Sequence, residues 1–147
     1  MQSLAGEQEL DVEHLDPMSA IPPSAGLTFD QHEAHPDFMR PASIENIHQA
    51  EHAASPTPRS LNAPVIAIID RILRAGREQG VFTAEVDVVD LHSVISAFCC
   101  FRIMNRHTFG ALFGRDLTAP DRRDHYRTLL GDMAIVYVTT GEQASVG

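Results

Sequence analysis

Residues 86–117 read VDVVDLHSVISAFCCFRIMNRHTFGALFGRDL, and this stretch decides the fold. Asp87, followed three residues later by Asp90, carries the polar signature of a helix start. The helix it opens spans about residues 88–105 and contains VISAFCCF, residues 94–101, which is apolar on every side. A helix without a polar face must be surrounded by protein. In a chain of 147 residues the simplest supplier of the missing cover is a second subunit.

Working outward, helical spacing continues and no strand-like alternation of any length appears. Upstream, Val65, Ile66, Ile69, Ile72, Leu73 and Gly76 form one face of a helix, with Asn62 as its expected cap and Pro64 in its first turn. Gly80 supplies a left-handed stop, and SPTPRS at 55–60 reads as a loop. Downstream, a short helix is expected over 108–113. A last helix opens at Thr118 with Asp121 and runs to Thr140, where Tyr126, Leu129, Leu130, Met133, Val136 and Tyr137 make a stripe. Nearer the N-terminus, a short helix is expected over 27–35 and another over 36–54, kinked by Pro41. The fold class is all-α. Residues 1–25 read as an acidic, Pro-rich remnant helix and linker that Pro17, Pro22 and Pro23 interrupt. Residues 26–140 form one helical domain, and 141–147 a flexible tail.

Composition narrows the function. Residues 1–59 carry ten acids against Arg40 and Arg59, a balance of −8, whereas 60–147 carry ten acids against nine arginines, a balance of −1. Lysine is absent, so no concentrated basic face is available to displace counterions from phosphates, and direct nucleic-acid binding by this chain is not expected. The start lacks a basic segment followed by an apolar one, so no signal peptide is read. The longest apolar run is too short to span a bilayer. The adjacent Cys99 and Cys100 suit a reduced, buried pair, and the expected location is the cytoplasm.

Two constellations carry possible chemistry. His48-Gln49-Ala50-Glu51-His52 fits H-x-x-E-H, which places two histidines on one helix face for zinc with a glutamate to activate water. A small zinc-dependent hydrolase using His48, His52 and Glu51 is therefore an alternative reading. However, no third ligand stands at a defined spacing, and the pattern arises readily in a chain with eight histidines. The competing reading is a polar helix face without metal. No nucleophile elbow or phosphate loop is present, and neither an enzyme nor a cofactor is expected. The second constellation is Phe98, Phe101, Arg102, Asn105 and Phe109, which mixes aromatic and polar groups on one face, as small-molecule pockets do. Periodicity alone favours core packing there, with Arg102 paired to an acid.

The order HPDFMRPASIENIHQAEH, residues 35–52, followed by LNAPVIAIIDRILRAGREQGVF and the 86–117 stretch, resembles the C-terminal regulatory domain of TetR-family transcriptional regulators. The resemblance covers about residues 27–140. It implies a small-molecule effector cavity among the middle helices, with Phe38, Ile44, His48, Phe98, Phe101, Arg102 and Asn105 as candidate wall residues. It also implies a dimer in which the last two long helices of each subunit form a four-helix bundle. Val94, Ile95, Tyr126, Leu129, Leu130, Met133, Val136 and Tyr137 are its candidate interface. No part of the sequence resembles the family's helix-turn-helix. The chain is thus expected to act as a homodimer, or as a heterodimer with a full-length relative. An oligomerisation module without any ligand is the remaining alternative.

Overall fold

The computed structural model describes residues 14–36, 57–83 and 85–140, and every regular element in them is helical. In chain order these are α1 (Pro17–Ala34), α2 (Thr57–Glu78), α3 (Val88–Met104), α4 (Arg106–Phe113) and α5 (Arg123–Thr140). A single 3-10 turn, Pro120–Arg122, leads into α5.

Helix α1 corrects the sequence-based expectation. It begins at Pro17, inside the segment read as a linker, and continues through Pro22 and Pro23 to Ala34. The Asp16 side chain caps it by accepting from the Ser19 N–H at 3.2 Å, and Pro17 fits the first turn, where its missing N–H costs nothing. Pro22 and Pro23 remove two backbone donors from the helix interior. Burial offsets that loss. Pro17, Ala20, Ile21, Ser24, Ala25, Thr28 and Phe29 are all buried, at the three- and four-residue spacing of one helix stripe. The helix lies at the centre of the domain, packed mainly on α5 and also on α2 and α3.

Helix α2 starts at Thr57, earlier than the Asn62 cap implied, so part of the expected 55–60 loop is helical. Its buried face is Ile68, Ile69, Ile72 and Leu73. It ends at Glu78, and Gly80 just beyond it takes a φ of +71°, a conformation that glycine adopts without strain. The chain then turns back so that Phe82 covers Gly76, and Arg77 holds the return by donating to the Val86 carbonyl at 2.9 Å.

Asp87 caps α3 as expected, accepting from the N–H groups of Val89 at 2.8 Å and Asp90 at 3.1 Å. Within the chain only Leu91, Ile95, Cys99 and Arg102 of this apolar helix are buried. Val94 and Phe101 are 60% and 46% exposed, so the far side of VISAFCCF lies open. After a 73° bend, α4 buries none of its residues. The start of α5 falls beyond Thr118, because Asp116 accepts both the N–H and the hydroxyl of Thr118 and fixes a turn there. Tyr126, Leu130, Gly131, Ala134 and Val138 form the inner face of α5. No single helix among the described residues is long and apolar enough to cross a membrane.

Candidate functional site

Three features of this scaffold bear on function. The first is an apolar groove of about 210 Å³ between α3 and α5, floored by Leu91, Ile95, Phe98, Leu130 and Ala134 and walled by Val94, Leu129, Met133 and Tyr137. Beside it stand Val94, Met133 and Val136, 60%, 60% and 57% exposed. The sequence-derived interface residues therefore divide into two sets. Val94, Leu129, Met133, Val136 and Tyr137 face outward, whereas Ile95, Tyr126 and Leu130 are buried in the chain's own core. The division is geometric. A stripe read from spacing spans both flanks of a helix, and α3 and α5 turn one flank of each toward α1.

The second feature is a charged ladder over Phe29. Arg102 is 1% exposed, and its guanidinium stands 4.3 Å from the Phe29 ring centroid. It donates to the Leu117 carbonyl at 2.8 Å and to Glu33 at 2.7 Å. Glu33 also accepts from Arg123. Arg123 donates to Asp30 at 2.6 Å, and Asp30 takes both ends of the Arg127 fork at 3.1 Å. Burial pushes the Glu33 carboxyl upward, but hydrogen bonds from Arg102 and Arg123, reinforced by their charges, carry it below the usual glutamate range. The ladder joins α1, the end of α3, the loop before the 3-10 turn, and the start of α5.

These contacts separate the effector-wall candidates. Arg102 points into the core and donates to Glu33 and the Leu117 carbonyl, so it belongs to the ladder. Phe98 lies at the floor of the apolar groove, while Phe101 faces outward against Phe109 at 5.9 Å. Asn105 is exposed at the end of α3. The 98–101–102–105 face straddles the boundary between core and surface, which is why neighbouring members diverge. Phe38, Ile44, His48, Glu51 and His52 lie outside the described residues, so the expected metal motif is not placed. Among the described residues no group of three or more His, Cys, Asp or Glu side chains could hold a metal ion.

The third feature gave no sequence signal. His32 and Thr28 stand one turn apart on α1, His92 and Ser96 one turn apart on α3, and the two helices pack so that His32 acts electrostatically on His92. His32 Nδ1 lies 2.8 Å from the Thr28 carbonyl, and a carbonyl only accepts, so that nitrogen carries the proton. His92 Nε2 lies 3.1 Å from the Ser96 hydroxyl. Burial, and then the proximity of His32, hold the His92 imidazole below its usual range. Thr28 Oγ1 and His92 Nδ1 are each buried without a hydrogen-bond partner. The hydroxyl of Tyr126 is a third such atom, placed beside Phe98 and Arg102.

Comparison with known proteins follows the same architecture. The family described as Tetracyclin repressor-like, C-terminal domain, matches residues 17–134, well over half of the chain. The chain is also 27% identical, over 130 residues, to the HTH-type transcriptional repressor NicS of Pseudomonas putida. That alignment covers 88% of this chain and 61% of the repressor, so the chain spans less than two thirds of that relative's length. The chain therefore belongs to the TetR family of transcriptional regulators and carries the family's helical C-terminal domain.

Proposed function

We propose that this chain dimerises through α3 and α5 and binds a small-molecule effector among its middle helices, as the regulatory part of a transcriptional repressor in the cytoplasm. The observation that carries the reading is the outward apolar face beside the groove. Val94, Met133, Val136 and Tyr137 project from the same two helices whose inner flanks build the core. Ridge and groove share one surface, which a two-fold axis requires of a self-complementary interface. Exposed apolar area of this kind marks an interaction site more often than a free surface.

Effector binding would act by favouring one of two packings of the helices, and only through different affinities for them. Through the same face the chain would also pair with a relative that carries a DNA-reading head, and the mixed dimer would hold operator DNA more weakly. Native mass spectrometry tests the assembly directly. Wild type should be a dimer and Met133→Asp a monomer of unchanged helix content. A wild-type monomer would sink the reading.

A further inference from the structure

We propose that α3 packs antiparallel against α3 of a second copy, along a short heptad seam whose direction is selected by side-chain size and by unlike charges at its two ends. The inference rests on the dimer reading above and adds the direction, the register and the residues that choose them.

The seam lies on the outward flank of α3. Asp90, Val94, Ala97, Phe101 and Met104 are all exposed, and they follow one another at intervals of four, three, four and three residues. That alternation is the heptad repeat by which one helix packs along another. Val94 also walls the α3–α5 groove, so the seam is continuous with the outward face already described. A seam of this length is too short to hold a dimer by itself, and Met133 of α5, across the groove, extends the surface.

Side-chain size selects the direction. A parallel pair would set each residue against its own copy, with Ala97 facing Ala97 and Phe101 facing Phe101. One layer would be hollow and the next crowded. An antiparallel pair in heptad register sets Ala97 against Phe101 and Val94 against Met104, so each layer joins a larger side chain to a smaller one.

Charge selects the same direction independently. Residues 85–90, at the start of α3, carry Glu85, Asp87 and Asp90, all exposed, and no base. Residues 105–117, at its other end, carry Arg106, His107 and Arg115 against the single acid Asp116. Arg106 and His107 stand in the first turn of α4, and Asp116 is engaged by the Thr118 hydroxyl. Antiparallel packing brings the acidic end of each copy to the basic end of the other, twice by symmetry. Parallel packing would bring like ends together, at a cost.

The test uses reciprocal charge reversals in the full chain, Asp90→Arg and Arg106→Asp, with subunit mass read by native mass spectrometry across a dilution series. In an antiparallel pair each reversal alone sets like charges together twice, and each should raise the dimer dissociation constant about tenfold. Combining both reversals in one chain should restore wild-type affinity. Mixing the two single variants should restore it too, as a heterodimer above its statistical share, because one chain is then basic at positions 90 and 106 and the other acidic. Rescue on mixing also shows that both variants fold. A parallel pair, or a seam covered by something other than a second copy, would leave each single variant as tight as wild type, and that result overturns the inference. A mixture holding only the statistical share of heterodimer overturns it as well. A wild-type monomer is a different failure, since it removes the dimer reading itself.

Discussion

The guanidinium of Arg127 lies directly over the backbone of Gly26. A Cβ at residue 26 would stand 2.3 Å from Arg127 Nη2 and 2.5 Å from its Cζ. Farther along the same pair of antiparallel helices the roles reverse, and Gly131 of α5 receives Pro22 of α1, with a Cβ there meeting Pro22 Cβ at 2.9 Å and Cα at 3.1 Å. One glycine on each helix thus sets how closely α1 and α5 approach.

The two glycines should respond differently to alanine. At Gly26 the obstacle is the tip of a flexible side chain. Arg127 swings away, its partly exposed pairing with Asp30 is worth at most about 1 kcal/mol, and alanine returns about as much in helix propensity. Gly26→Ala should therefore shift stability by less than about 1 kcal/mol. At Gly131 the obstacle is a rigid ring and backbone, so the helices must separate, at a cost of about 2 kcal/mol. Urea midpoints of the two variants measure the contrast. Equal losses would contradict it.

Glu33→Gln should be costly because of what it leaves behind. Arg102 is 1% exposed, and Glu33 is its only carboxylate partner among the described residues. Removing one member of such a pair strands a buried charge and costs about 3 kcal/mol. The pH dependence has a definite sign. Glu33 is held below its ordinary value in the folded chain, so its contribution is present above the unfolded carboxyl range. The contribution is lost as pH falls through the depressed folded value. Wild type should lose stability more steeply than Glu33→Gln below about pH 4.5 in a urea series run against pH. Parallel curves would show that Glu33 is not a source of the acid sensitivity.

How much of this was legible in the sequence depended on whether the deciding interaction was local. Asp87 caps α3 as its spacing with Asp90 indicated, because a cap is settled within four residues. The open flank of VISAFCCF was foreseen for the same reason, since periodicity alone reports a missing polar face. Helix α1 was misread because Pro22 and Pro23 were weighed by their local cost. The buried small residues that offset it, Ala20, Ser24, Ala25 and Thr28, carry little hydrophobic signal and gain their value only once α1 is enclosed by its neighbouring helices. Arg102 was expected to meet some acid, yet nothing local selects Glu33, which is 69 residues away. The nearness of His32 to His92 was invisible for that reason too, since it arises only once α1 packs on α3.

Cys99 should be chemically silent in the folded chain. Burial, then the neighbouring Cys100, push its thiol up to about 12. At pH 8 only about one folded molecule in ten thousand would carry the thiolate. Alkylation of Cys99 by iodoacetamide, followed by peptide mass spectrometry, should therefore track unfolding across a urea series. Rapid modification in native buffer would mean that the helix opens locally around it.

The face beside the α3–α5 groove offers the sharpest separation of folding from assembly. Val94 and Val136 are 60% and 57% exposed within one chain, so a charge at either leaves the core untouched and opposes only a second subunit. Ile95 and Leu130 are 2% and 4% exposed and lie beneath them. Val94→Glu and Val136→Glu should convert dimer to monomer by light scattering with the helical signal retained. Ile95→Ala and Leu130→Ala should instead cost about 2–5 kcal/mol of stability through the cavities they create, whatever the assembly state. The two pairs sit one residue and six residues apart in sequence, on the same two helices. A uniform response across all four would mean that the outer and inner flanks are not distinct, and the proposed interface would lose its basis. A split response would assign the outer flank to the partner and the inner flank to the fold.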